Sequence, residues 1–136
     1  MKNKAFTLLE LIIVVIILGI IVSIAIPRFT GGTEKGRATE AMGLLGDLRT
    51  ANERYAAANN GNYLVEGACT GLDTTWTTIK NFGAPACSGA GTGTITMTRT
   101  GGAYSLQIDA TGCLCCNNLV GTPCTSYGFA VCPACQ

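Results

Sequence analysis

Two sets of residues in this chain could do chemistry: a single carboxylate, Glu10, inside an otherwise apolar run, and eight cysteines confined to the second half. Glu10 lies in Phe6 to Ile26 (FTLLELIIVVIILGIIVSIAI), and no charged residue follows it until Arg28. An ionisable group at membrane depth costs about 2.5 to 3.5 kcal/mol even on lenient scales, so such a residue needs a partner and a function. The cysteines are Cys69, Cys87, Cys113, Cys115, Cys116, Cys124, Cys132 and Cys135. The chain has no histidine, which excludes Cys/His zinc fingers, C-x-x-C-H haem attachment and Ser/His or Cys/His catalytic pairs. Nine Lys/Arg against eight Asp/Glu give a net charge of +1, too balanced for a nucleic-acid protein by bulk electrostatics.

The element that must position Glu10 is a helix. At about 1.5 Å per residue, Phe6 to Ile26 reaches roughly 31 Å, the thickness of a hydrocarbon core. Lys2 and Lys4 precede it, so the positive-inside rule keeps the N-terminus cytoplasmic and sends the rest of the chain outward. The competing reading is a secretory signal peptide cut after Ser23-Ile24-Ala25. Against it stand Glu10 and Pro27, which has no N–H for the carbonyl of Ser23. Gly19 and Pro27 are the weak points of the helix, between which hydrogen bonds could be lost and the rod could bend or stretch.

Ala5-Phe6-Thr7-Leu8-Leu9-Glu10-Leu11-Ile12, with Gly19 and Pro27 following in an apolar helix, resembles the leader and N-methylation motif of type IV pilins and type II secretion pseudopilins. The resemblance covers about the first 30 residues. It implies that a prepilin peptidase cuts between Ala5 and Phe6 and methylates the new amine of Phe6, Ala5 standing where the family usually has Gly. Cleavage removes Lys2 and Lys4, so the net charge passes from +1 to −1. The Phe6 amine remains cationic and lies one helical turn from Glu10. In a bundle of identical helices, Glu10 of one subunit would neutralise Phe6 of its neighbour and so set register, since a shifted helix leaves a charge unpaired. Glu10, with Thr7, Gly19 and Pro27, is therefore assigned to assembly.

Beyond Pro27, Ala38, Ala41, Met42, Leu45, Leu48 and Tyr55 fall on one face of a second helical stretch, while Glu34, Arg37, Glu40, Asp47, Arg49, Glu53 and Arg54 fall on the other. Glycines at 31, 32, 36, 43 and 46 weaken the helix, so Thr39 to Ala58 is its firmest part, ending at Asn59-Asn60-Gly61-Asn62.

From Tyr63 the period changes. Thr94 to Arg99 and Ala103 to Asp109 alternate polar and apolar around Thr100-Gly101-Gly102, which predicts a β-hairpin with Ile95, Met97, Tyr104, Leu106 and Ile108 on one face. Ser126 to Val131 is a third strand candidate, and residues 66–92 read as a connecting loop. The fold class is thus α+β: a long N-terminal helix, half transmembrane and half amphipathic, packed on a small antiparallel sheet. The organisation expected is leader 1–5, transmembrane or filament-core helix 6–27, amphipathic extension 28–60 and Cys-rich β head 61–136.

Eight cysteines outside the membrane, with few large apolar residues around them, read as disulfides. Their pairing is open. The simplest arrangement joins Cys69 to Cys87 and pairs the other six within the tail, without a strained bond between adjacent Cys115 and Cys116. The rival reading takes Cys132-Pro133-Ala134-Cys135 and Cys113-Leu114-Cys115-Cys116 as ligands for zinc or an iron–sulfur centre, which an oxidising location opposes. A DNA-binding head is opposed by charge: after residue 60, Lys80 and Arg99 face Glu66, Asp73 and Asp109.

The expectation is a structural subunit, not an enzyme and without cofactor. It would be held in the inner membrane as a precursor and then polymerised by pilus assembly machinery into a helical homo-oligomer on the cell surface. The alternatives are a type II secretion pseudopilin, a minor or competence pilin, or a membrane-anchored Cys-rich metal- or DNA-binding module.

Overall fold

The computed structural model describes residues 6–89 and 91–133. Its elements are α1 (Leu8–Ala58), β1 (Ala86–Ser88), β2 (Thr94–Thr98), β3 (Tyr104–Ile108), β4 (Leu114–Asn118) and α2 (Pro123–Ser126). The chain divides into two compact units, Met1–Glu34 and Lys35–Gln136.

Helix α1 runs without a break through Gly19 and Pro27. Its start is set by Thr7, whose hydroxyl accepts the N–H of Glu10 at 3.3 Å. Its end is set by asparagines. Asn60 adopts φ 56° and Gly61 φ 83°, and the Gly61 N–H returns to the Ala56 carbonyl at 2.8 Å. Asn59 Nδ2 donates to the Tyr55 carbonyl at 2.8 Å, satisfying another terminal acceptor.

In the second unit, Ala38, Ala41, Leu45, Leu48 and Ala51 of α1 are buried, and Met42 and Tyr55 pack at the margin of the same core. The opposing layer is a four-stranded antiparallel sheet in the order β1-β2-β3-β4. The register of β2 on β3 pairs Ile95 with Ile108 and Met97 with Leu106, so the side chains expected on the inner face all meet the core. Tyr104 is buried among Phe82, Tyr127 and Phe129, each ring centroid 6.0 Å from its own.

Three elements differ from the sequence expectation. Residues 66–92 are not all loop, because Ala86–Ser88 adds an edge strand whose Cys87 lies opposite Ile95. The third long strand is Leu114–Asn118, with Leu106 opposite Cys116, and not Ser126 to Val131. The latter segment begins at the end of α2, where Pro123 occupies the first helical turn. Gly128 then turns the chain at φ 75°, and Val131 makes an isolated parallel bridge to Cys116. The place beside β3 is already filled by β4, so Tyr127 and Phe129 pack on Tyr104 instead of joining the ladder.

Disulfides staple this small sheet. Cys69 is joined to Cys87, Cys115 to Cys132 and Cys116 to Cys124, and Cys113 is disulfide-bonded as well. Cys135 lies outside the described residues. Because neighbours on a strand point to opposite faces, adjacent Cys115 and Cys116 hold different points of the following chain: Cys116 grips α2 and Cys115 the segment beyond it.

Candidate functional site

The first turn of α1 sets out the residues assigned to assembly. Phe6 and Thr7 precede the helix, Leu8 opens it, and Glu10 is its third residue. The Thr7 carbonyl accepts the N–H groups of Glu10 at 3.1 Å and Leu11 at 3.3 Å. Phe6 is 70% exposed, and the Glu10 carboxylate accepts no hydrogen bond and enters no ion pair among the described residues. Ala5 lies outside the described residues. Gly19 is a bare point on the helix surface, since a Cβ there would meet nothing within 4 Å, and Pro27 lies within the continuous helix.

Every large apolar residue from Leu8 to Ile26 is exposed, from 45% at Val14 to 75% at Leu8. Burying a Leu, Ile or Val side chain is worth about 1.5 to 3 kcal/mol, so leaving this set in water would cost on the order of tens of kcal/mol. The stretch is long and apolar enough to cross a membrane. Either lipid or other helices must cover it.

The head carries polar features of another kind. Arg54 Nε and Nη2 grip both oxygens of Asp73 at 2.8 and 2.7 Å, tying α1 to the loop before β1. This hydrogen-bonded pairing holds the Asp73 carboxyl below the ordinary carboxylate range and raises Arg54 further. The pair borders an open groove of about 250 Å³ floored by Tyr55 and Leu72. Arg49 is bridged to Glu53 at 2.7 Å and also donates through Nε and Nη2 to the Ala110 carbonyl, pinning the β3–β4 turn. In that turn Asp109 accepts the Thr111 hydroxyl and the Cys113 N–H, and the Thr111 bond is the larger cause of its lowered pKa. Asn52, on the buried face of α1, accepts the Leu64 N–H at 2.9 Å, while its Nδ2 is buried without a partner among the described residues.

Sequence reasoning assigned the charged face of α1 no role, and so missed Arg54–Asp73 and Arg49–Ala110. Their partners are 19 and 61 residues away, and no local pattern announces such distances. The Thr7 cap was also missed, although Thr-x-x-Glu ahead of an apolar run is a helix-start signature. The cysteines offer no thiolate cluster: seven are in disulfides, and the described residues contain no group of three or more His, Cys, Asp or Glu placed to hold a metal.

Fold and site together define a protein with a long, exposed apolar N-terminal helix and a disulfide-stapled α+β head. The family described as the prokaryotic N-terminal methylation motif matches residues 1–26. The Type IV narrow pilus major component PilA5 of Thermus thermophilus is 31% identical over 115 residues, 79% of this chain and 97% of that protein. Fimbrial protein EcpC of Eikenella corrodens is 34% identical over 108 residues, 77% of this chain and 69% of that protein. Type II secretion system core protein G of Pectobacterium carotovorum is 34% identical over 59 residues, 43% of this chain and 38% of that protein. No solved structure matches. The chain belongs to the type IV pilin family, whose members include pilins and secretion pseudopilins and whose character is structural.

Proposed function

We propose that this chain is the major subunit of a type IV pilus. Residues 1–5 serve as a leader, removed by a prepilin peptidase that cuts between Ala5 and Phe6 and methylates Phe6. Residues 6–27 hold the precursor in the inner membrane and later form the filament core, residues 28–60 extend that helix, and residues 61–136 form the surface head. Assembly machinery extracts the subunit into a helical homo-oligomer outside the cell. The observation that carries this reading is a membrane-length apolar helix, exposed on every side, whose one carboxylate has no partner among the described residues. A neighbouring subunit supplies both missing things: apolar helices to cover the stretch and a Phe6 amine to neutralise Glu10. Gly19 and Pro27 lower the cost of reshaping the helix during that transfer.

Relatives matched over most of their length are a pilus component and a fimbrial protein, whereas the secretion protein matches only 43% of this chain and 38% of its own length, and this favours a pilus over a pseudopilus. Mass spectrometry and electron microscopy of sheared surface material test the proposal. Long filaments of this subunit beginning at N-methyl-Phe6 are expected. A chain beginning after Ala25 would mean a secreted protein, and short periplasmic assemblies would mean a pseudopilin.

A further inference from the structure

We infer that Asn60–Gly61, where α1 ends, is a site of spontaneous modification: the Gly61 nitrogen closes on the Asn60 side-chain amide and expels ammonia, at a rate set by the cap of the helix. This holds whether or not the chain forms a filament.

Of all the asparagines in the chain, only Asn60 precedes a glycine. Ring closure is an attack by a backbone nitrogen on the carbonyl carbon of the preceding side chain, and glycine offers that nitrogen with no side chain in the way. The end of α1 calls for this pair. Asn60 and Gly61 both take positive φ, 56° and 83°, which asparagine and glycine tolerate best. The residue types that stop the helix are therefore the ones that make the reactive dipeptide.

The asparagines on either side are engaged. Asn59 Nδ2 donates to the Tyr55 carbonyl at 2.8 Å, and Asn62 Nδ2 to the Asn59 carbonyl at 3.0 Å. Asn60 is exposed, and its side chain makes no hydrogen bond among the described residues. The attacking group is the one that is held: the Gly61 N–H donates to the Ala56 carbonyl at 2.8 Å. That proton must leave before the nitrogen attacks, so the reaction waits for the last turn to open.

A bond forms from Gly61 N to Asn60 Cγ, the Cγ–Nδ2 bond breaks, and Nδ2 departs as ammonia with the amide proton. Water then opens the cyclic imide at either carbonyl. The product is an aspartyl residue or an isoaspartyl one, whose backbone runs through the side chain. No enzyme, oxidant or reductant is required. Both products place a carboxylate at the negative end of the helix dipole, so a modified chain frays further at the cap. Ammonia is lost to solvent and the step does not reverse, so the fraction modified records how long a chain has existed.

The test keeps the full chain, disulfides intact, in detergent and mildly alkaline buffer, and follows conversion at each asparagine by peptide mass spectrometry. Asn60 should convert first, and faster when the chain is unfolded in guanidinium. Ala57 is exposed in the last turn of α1, and Ala57→Gly weakens the helix end by about fivefold. Conversion at Asn60 and amide exchange at Gly61 should both speed up by that factor. Asn60→Gln, whose longer arm does not close this ring, should abolish the signal. A folded-state rate equal to the unfolded rate would overturn the inference, as would an Asn60 that converts only in guanidinium. So would an unchanged rate in Ala57→Gly, conversion of another asparagine first, or a signal that persists in Asn60→Gln.

Discussion

Residues from Phe6 to Ile26 and residues of the head turn the same kinds of side chain in opposite directions. In the first stretch Leu, Ile and Val are exposed around the whole helix, and none of the described residues covers them. In the second, Leu45, Leu48, Ile95, Met97 and Leu106 are buried in one core, and the threonines that alternate with Ile95 and Met97 on β2 are more exposed than they are. The helix has no core of its own and is completed by other molecules. The head is complete alone and carries disulfides as well. A change in the first region should therefore alter what the subunit assembles into, and a change in the second should alter whether the subunit holds together.

The largest expected effect lies in the helix. Glu10→Val removes the one charge of the span and should leave processed subunit in the membrane with no filaments visible by electron microscopy. In the detergent-solubilised full-length variant the head should unfold at the wild-type denaturant concentration, since Glu10 is not among the core residues of the head. Normal filaments from Glu10→Val would show that apolar packing alone sets register, and the contrast between the two regions would lose its chemical basis.

Next come the core and the staples of the head. Leu45→Ala removes a fully buried side chain facing the sheet and should cost about 2 to 5 kcal/mol in the head. Replacing both Cys69 and Cys87 with Ser frees a loop with a sequence separation of 18, which on a chain-entropy estimate costs about 3 kcal/mol. The corresponding double change at Cys116 and Cys124, with a separation of 8, should cost slightly less, about 2.5 kcal/mol. Denaturant midpoints give all three values. Filaments that form normally while the head is loosened would sharpen the comparison, and filaments lost in proportion to head stability would blur it.

What could be read in advance follows the same division. The hairpin was legible because Thr-Ile-Thr-Met-Thr and Tyr-Ser-Leu-Gln-Ile each alternate with period two around a Gly-Gly turn, and the helix was legible from its apolar stripe. Strand β4 was not, because Leu-Cys-Cys-Asn-Asn has neither alternation nor β-branched residues. It is a strand because β3 offers an edge, and its two cysteines hold the chain that follows against it. Short β1 escaped for a similar reason: three residues are held by pairing and by Cys87, not by propensity. At the candidate site, Glu10 was conspicuous because a charge in an apolar run contradicts its surroundings, whereas Arg54 on a charged helix face contradicted nothing. Its role depends on a loop that folds back from 19 residues away.

The smallest effect is that of the Arg54–Asp73 pair, which lies at the surface and is screened by water. Its sign is fixed by the direction of the shift. Asp73 is held below its ordinary range in the folded head, chiefly by the hydrogen bonds from Arg54. Such a group adds stability that is present above its unfolded pKa, about 3.9 for Asp, and is lost as the pH falls through the folded value. Asp73→Asn should therefore lower the denaturant midpoint slightly at pH 6, and by less at pH 3, below the ordinary Asp range. Asp109 is shifted in the same direction by the Thr111 hydroxyl and the turn N–H groups, so the variant keeps part of the acid sensitivity. An equal deficit at both pH values would mean that Asp73 matters through shape and not charge. The loop before β1 would then be held on α1 by Leu64, Leu72 and the Asn52–Leu64 bond, which bury it in the same core.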